Sequence, residues 1–443
     1  MQLTNNNFIT RQINQISEKK WPVVRRKIKK LIFLPFNLTL LLLALPFVVI
    51  IRLLSPFFVI RLHGLDIGRI GGLYSGDIYM SEKKCGHHQS GYFDRFYFTK
   101  SINHVNQQWK KMWKRNLNVF FFAEFAKSIE RINKLFPGYE KYQIPNSDLN
   151  PSRLEFNSYM SGEDLTIYDK YNKRLECVLR VSQPNLSFTL VEGQLGDKYL
   201  QEIGIPAKNS FICFHNRDSS YLDMMNEDYD WRYHDFRDSK IENYLDAAKE
   251  MIERGNYAIR LGAVTKEKIK DTSSKLIDYA NNGMRTDFLD IYLSAKCKFI
   301  ICSDTGMSFP AEVFKRPLVY VNWVRIIGLP IYALKGLVIM KNIFLKKENR
   351  YMTFSENLNL RIGEGGENEL TSTLELEIIE NSPEEIRAVT IEMDERLNGT
   401  WQTTDEDEEL QQRFWAFFGP DKFKSPNLRI GTEYLRRNKE LIK

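Results

Sequence analysis

At 443 residues the chain is too long for one ordinary core and implies two or three domains. Its 43% apolar and 27% charged residues exclude a disordered or fibrous chain. The formal charge of +7 does not mark a nucleic-acid binder, because residues 1–60 hold nine Lys/Arg against one acid and leave the rest near −1.

Zinc-finger spacing and an RNA-binding signature are also missing. Five scattered cysteines, an odd number without metal spacing, point to a reducing compartment. Three Asn-x-Ser/Thr matches, at Asn37, Asn185 and Asn398, are about what chance gives in so Asn-rich a chain.

Residues 1–60 form the first segment. "SEKKWPVVRRKIKK" precedes Leu31–Ile51, an uncharged run of 21 residues. The run is too long for a secretory signal and long enough to span a bilayer. Pro35, Asn37 and Pro46 interrupt it, Pro56 interrupts a second apolar run after Arg52, and proline removes a helix hydrogen bond. We therefore expect a monotopic, in-plane or re-entrant hairpin, its Lys/Arg cluster on anionic lipid, ahead of a single span or a buried soluble hairpin. Membrane lipid is thus an expected partner through residues 19–60.

Residues 61–200 form the next unit. "FFVIRLHGLDIGRIGG" reads as a strand entering a Gly-rich turn, and residues 107–136 read as helix. In the turn, Arg69, Gly71 and Gly72 would let a ligand approach the backbone closely. The GxGxxG spacing is wrong for a dinucleotide fingerprint. Asp77, just beyond, is a candidate general base or else a helix N-terminal acid.

From 201 to 345 strands and helices alternate. "SFICF", "YAIRLG", "CKFIICS" and "PLVYVNW" read as strands, and residues 239–255, 267–281, 287–296 and 308–315 as helices. Such alternation predicts a parallel sheet covered on both faces. Its ligands belong at the carboxyl ends of the strands. Four strand exits carry polar residues there: His215 to Asp218, Arg260, Ser303-Asp304-Thr305-Gly306, and Asn322.

The 303–306 turn is a candidate phosphate cradle or an ordinary helix cap. Arg217 and Arg260 at neighbouring exits favour phosphate, since arginine matches it with two parallel hydrogen bonds. Asp218 would hold Arg217. Glu312 is a candidate for a ribose diol, and His215 a candidate acid/base. The Asp228-Tyr229-Asp230 pattern and the adjacent His87-His88 make poor metal sites, so no metal and no cofactor is expected. A P-loop and a serine-hydrolase elbow are missing. Residues 346–443 read as a helical extension.

"RIGGLYSGDIYM", "QQWKKMWKRNLNV", "HNRDSSYL", the stretch 233–262, "DFLDIYLSAKCKFIICSDTGMSF" and "RIGTEYLRRNKELI" together resemble a group of bacterial glycosyltransferases found with surface-polysaccharide genes. The resemblance runs from about 50 to 440 and is most specific over 211–323. The His-x-Arg-Asp stretch also resembles the fucosyltransferase-like branch.

The resemblance implies a GT-B-like α/β fold, two Rossmann-like domains facing a cleft behind an N-terminal membrane-associated helical segment. It implies a nucleotide-sugar donor in the C-terminal half, an acceptor in the N-terminal half, and no catalytic metal. It makes Arg217 the first donor-phosphate residue, with Arg260, Ser303, Asp304, Thr305, Gly306, Glu312 and Asn322 around the donor. Gly71-Gly72 departs from the family's Gly-His, which removes any histidine there; Asp77 keeps the acid position. The alternatives are a nucleotide-sugar epimerase-like enzyme and a non-catalytic assembly protein.

Overall fold

The computed structural model describes residues 28, 31–68, 70–88, 91–99, 106–144, 176–225, 231–270, 273–331, 333–359, 375–417 and 427–443. Arg69, Asp228-Tyr229-Asp230 and, apart from Ile28, the basic run 19–30 lie outside them.

Helix α1 (Leu34–Leu53) is one continuous helix, not a proline-broken hairpin. Pro35 falls in its first turn, where no hydrogen bond is lost, and Pro56 lies beyond its end. Only Pro46 sits inside, and the flanking turns carry the helix past it.

Strand β1 (Val59–Leu65), helix α2 (Tyr74–Lys84) and strand β2 (Tyr92–Phe98) follow, the strands parallel over seven residue pairs. This is a βαβ unit. Helices α3 (Gln107–Asn116) and α4 (Ala123–Asn133) come next, split by a parallel bridge from Val119 to Phe96. Asn106 caps α3 through the Trp109 amide. Trp109, Met112 and Trp113 then fall on one face at helical spacing and are fully buried. Helix α5 (Leu190–Glu202) begins with a capping box at Thr189 and Glu192.

The second half is a seven-stranded sheet, ordered β12-β8-β7-β6-β3-β4-β5 and parallel throughout. Its strands are β3 (Phe211–His215), β4 (Tyr257–Arg260), β5 (Leu276–Ile277), β6 (Ile300–Cys302), β7 (Leu318–Trp323), β8 (Gly336–Met340) and β12 (Leu428–Ile430). Continuous burial along β3, β6, β7 and β8 reflects cover on both faces. Helices α6 (Leu245–Glu253), α7 (Asp287–Lys296) and α8 (Ser308–Val313) alternate with these strands as expected.

The described part of 267–281 is not helical but runs as a loop into β5, and Asp278, just past that strand, accepts the Ile269 amide and the Asn281 side-chain amide. Nor is 346–443 wholly helical. A three-stranded antiparallel sheet of β9 (Asn342–Leu345), β10 (Arg350–Tyr351) and β11 (Leu376–Ile379) precedes helices α9 (Pro383–Asn398) and α10 (Asp405–Ala416), and β12 returns to the main sheet. All five cysteines are free, and only Cys85 is partly exposed.

Candidate active site

A cleft of about 390 Å³ opens at the carboxyl edge of the large sheet. The C-terminal half supplies His215, Arg217, Arg237, Arg285, Asp290 and the Asp304-Thr305-Gly306 turn. The N-terminal half supplies Ile67, Gly68, Ile70 and Asn106.

The halves meet closely. A Cβ on Gly71 would come within 2.7 Å of the Phe309 ring, and one on Gly306 within 3.0 Å of the Ile70 side chain. Glycine at both positions is what lets the two turns touch. The Trp109 indole N–H donates to the Ile70 carbonyl at 3.1 Å and fixes that turn. Asp287 of α7 accepts the Gln107 amide at 2.8 Å and joins the halves beside the cleft.

His215 ends β3. Its Nδ1–H donates to the Leu261 carbonyl at 2.9 Å, which fixes the tautomer and leaves Nε2 bare. Nε2 accepts from the Thr305 hydroxyl at 3.4 Å. Burial pushes the ring's pKa down to about 4, aided by the nearby Arg260 and Arg217 charges, so the ring is neutral at pH 7.

Arg217 is held by Asp238, not by the expected Asp218. Its Nη1 donates to the Asp238 carboxylate and to the His234 carbonyl at 3.0 Å, while its backbone N–H donates to Ser303 Oγ. Asp218 instead accepts the Ser220 and Lys266 amides and shapes the loops around it. Burial, with the neighbouring Arg237 charge, lowers the Arg217 pKa to about 10, which still leaves it cationic at pH 7.

Arg237 reaches His234 Nδ1 at 2.8 Å and Asp304 at 3.7 Å. Arg285 donates to Asp290 at 2.6 Å. Asp290 also accepts the Tyr279 hydroxyl at 3.1 Å, and burial raises its carboxyl to about 6. Each of the three cleft guanidiniums keeps one buried N–H without a protein partner: Nη2 of Arg217, Nε of Arg237 and Nε of Arg285. A buried donor left unmade is costly, so this arrangement favours an anionic ligand.

Four of the expected site residues are sealed away from the cleft. Asp77 is fully buried, ion-paired to Lys315 at 3.1 Å and hydrogen-bonded by Asn185 at 2.8 Å. It latches α2 to the turn after α8 and does not line the cleft. Arg260 is fully buried under the cleft, donating to the Asn216 side chain at 3.3 Å and pairing with Asp278 at 3.7 Å. Asn322 takes a left-handed backbone, φ 55°, at a β7 bulge and exchanges hydrogen bonds with Asn381. Glu312 accepts the Tyr320 hydroxyl at 2.7 Å, and burial raises its pKa.

Ser303 is also fully buried and works through the Arg217 backbone. Gly71 and Gly72 lie in the 3₁₀ turn Ile70–Leu73, and Gly71 forms the contact with Phe309. Arg237, Arg285 and Asp290 were missed. Arg285 stands just before the Thr286 cap of α7, and Arg237 lies in the loop beyond β3. Both are loop arginines on the strand-exit side of the sheet, which is the signal that would have found them. Among the described residues, no three His, Cys, Asp or Glu side chains gather to hold a metal.

Comparison with solved structures finds broad likeness at low identity. A glycosyl transferase family 9 protein from Veillonella parvula DSM 2008 is 10% identical, with a TM-score of 0.37 over 63% of this chain and 86% of that one. The ADP-heptose lps heptosyltransferase II of E. coli is 13% identical, with a TM-score of 0.34 over 71% of this chain and 98% of that one. E. coli heptosyltransferase WaaC is 10% identical, with a TM-score of 0.28 over 59% of this chain and 88% of that one. No family profile matches the chain, and no curated protein matches its sequence. With scores this low, the chemistry of the cleft has to be read from its own residues.

Proposed function

We propose that the chain is a glycosyltransferase that takes a nucleotide-sugar donor in the cleft between its halves. The observation that carries the reading is the set of three cleft guanidiniums, Arg217, Arg237 and Arg285, each with a buried N–H unpaired within the protein. A donor diphosphate supplies the missing acceptors in pairs. The same cations would stabilise the nucleoside diphosphate as charge develops on leaving. The Thr305 hydroxyl and the close-set Gly306 turn complete the phosphate side.

With Asp77 sealed away, proton acceptance falls to His215. Its bare Nε2 faces the cleft beside Thr305, and Leu261 holds the other nitrogen. In an inverting transfer the acceptor oxygen attacks the sugar's anomeric carbon, the bond to the diphosphate oxygen breaks, and the acceptor's proton passes to Nε2. Nothing in this scheme requires a metal.

The acceptor we assign is a lipid-linked or growing surface glycan at the cytoplasmic membrane face. The apolar helix α1 ahead of the N-terminal half supports it.

The test is thermal stability with UDP, GDP, CMP, dTDP and ADP in turn. A ligand that binds only the native state raises the melting temperature. A shift with one nucleotide that is lost in Arg217→Ala, followed by release of that nucleotide from its sugar conjugate only when acceptor is present, is the expected result. No shift with any nucleotide, or a product from donor alone, would overturn it in favour of an assembly protein or an epimerase respectively.

A further inference from the structure

Helix α1 has 20 residues, about 30 Å at the usual rise, with a mean hydropathy of 2.4 over its most apolar window. By length alone it would cross a bilayer. Its packing says otherwise. Leu40, Ala44 and Val48 fall at four-residue spacing on one face and are buried, Ala44 and Val48 against Ile129, with Phe125 and Ile132 of α4 beside them. The Phe47 and Phe125 rings meet edge to face at 5.1 Å.

The C-terminal end is tied more firmly. Arg52 donates to Asn133 Oδ1 at 2.7 Å and to the Pro137 carbonyl, and it lies over the Phe136 and Tyr142 rings. Helix α1 is therefore packed on the N-terminal half from Ala44 to Arg52.

Helix α4 carries Glu124, Lys127, Glu130 and Arg131. Sending α1 across the hydrocarbon would draw these charges in with it, or would break the α1–α4 contact and strip Arg52 of its partners. Charges inside a bilayer are costly, and so is either alternative. Laid flat, α1 keeps its α4 contact and gives its other face to lipid.

That other face is apolar, and exposed apolar side chains also stand at the ends of α4. Leu42 and Leu53 are 73% and 70% exposed, and Phe57 just past the helix is 82% exposed. Phe121 and Leu135, at the two ends of α4, are 91% and 77% exposed. Immediately ahead in sequence, Lys19 to Lys30 carry seven Lys/Arg and no acid. An apolar face preceded in sequence by a basic run matches the acyl boundary and the anionic headgroups of one leaflet.

We propose that α1, held on α4, is an in-plane anchor that seats the N-terminal half on one leaflet of an anionic bilayer, with both ends of the helix on the same side. This deepens the membrane part of the proposed function and is independent of the donor site.

The test uses the full chain with Cys85→Ser, bound to sealed vesicles of phosphatidylcholine with or without phosphatidylglycerol. Binding by flotation is expected to rise at least tenfold with phosphatidylglycerol. It is expected to fall at least tenfold in Leu42→Asp/Leu53→Asp, two exposed positions whose substitution leaves the nucleotide-induced melting shift as in the parent. Single cysteines at Asn5→Cys and at the exposed Leu190→Cys should both react fully with an impermeant maleimide before detergent is added. Reaction of the Asn5→Cys site only after detergent would show a span and overturn the proposal. Equal binding to neutral and anionic vesicles would overturn the role of the basic run. Failure to bind either vesicle, with self-association by light scattering, would give the face to a second copy. The nucleotide shift on the same samples separates each of these failures from failure of the donor site.

Discussion

Arg217 and Arg260 leave neighbouring parallel strands, both deeply buried, yet they belong to two different layers of the molecule. Arg217 lines the cleft, held on one side by Asp238 and His234, with Nη2 left over. Arg260 lies one layer down, where Asn216, Asp278 and the Glu267 carbonyl enclose it and the cleft does not reach it. Asp77 and Lys315 belong to this lower layer too, as a closed pair joining the halves. A charge at a strand exit is therefore not enough to make a site. The cleft wall turns its charge to open space and the layer beneath is enclosed by protein, so the two should respond to substitution in opposite ways.

The largest effect belongs to the lower layer. Asp77→Asn leaves Lys315 charged, buried and without its carboxylate, which typically costs about 3–5 kcal/mol. The thermal melt should fall sharply, and Asp77→Asn/Lys315→Met should recover most of the loss. Full stability with lost acceptor turnover in Asp77→Asn would instead restore Asp77 as a base and break the contrast.

The two arginines give the next test. Arg217→Ala should weaken nucleotide binding by roughly 10–100-fold, the span of a charged hydrogen bond worth about 1.5–3 kcal/mol. Arg260→Ala should lower the melting temperature more than Arg217→Ala does. Titration calorimetry and melting on both variants check the crossing, and equal effects on both readouts would erase it.

Gly71→Ala tests the seam between the halves. The added Cβ meets the Phe309 ring at 2.7 Å, so one turn must move. Overpacking of this kind typically costs about 1–3 kcal/mol. Gly71→Ala/Phe309→Leu should regain part of it, because the obstacle is a side chain.

Much of this organisation is legible in the sequence, and the limit of that legibility has a physical cause. Strands β3, β4, β6 and β7 of the large sheet read clearly because both faces are covered, which makes them short continuous apolar runs between polar exits, whereas β5, β8 and β12 are not among the expected strands. His215, Arg217 and the 304–306 turn follow from the strand ends alone. Asp77 does not, because its partner Lys315 lies 238 residues away and nothing local announces the pairing. Asn322 resembles a site residue but serves a β-bulge, where its side chain meets Asn381, 59 residues on. The helix expected over 267–281 fails because Asp278 bonds the local backbone, a competition that apolar spacing does not register. The same spacing could not reveal that α1 would run through Pro46, since its seat on α4 is a tertiary contact.

The smallest effect is also the most specific to the cleft. His215 and Asp290 line the same space with opposite displacements. The histidine goes from about 6.5 unfolded to about 4 folded, so between these values the unfolded chain holds more protons. Its stabilising contribution is complete above pH 6.5 and is lost as pH falls toward 4. Asp290 goes from 3.8 to about 6, so in that window the folded chain holds the extra proton. Its contribution is complete below pH 3.8 and is lost as pH rises through 6. Between pH 4 and 6 the two slopes oppose, each bounded by about 1.4 kcal/mol per pH unit. His215→Gln leaves only the Asp290 slope, so relative to the parent its stability should fall as pH rises from 4 to 6. Asp290→Asn leaves only the His215 slope, and its stability should rise over the same interval. Other carboxylates add a background common to both variants, so the difference between their melting curves isolates the pair. Parallel curves would mean that neither group is buried in the cleft wall as described.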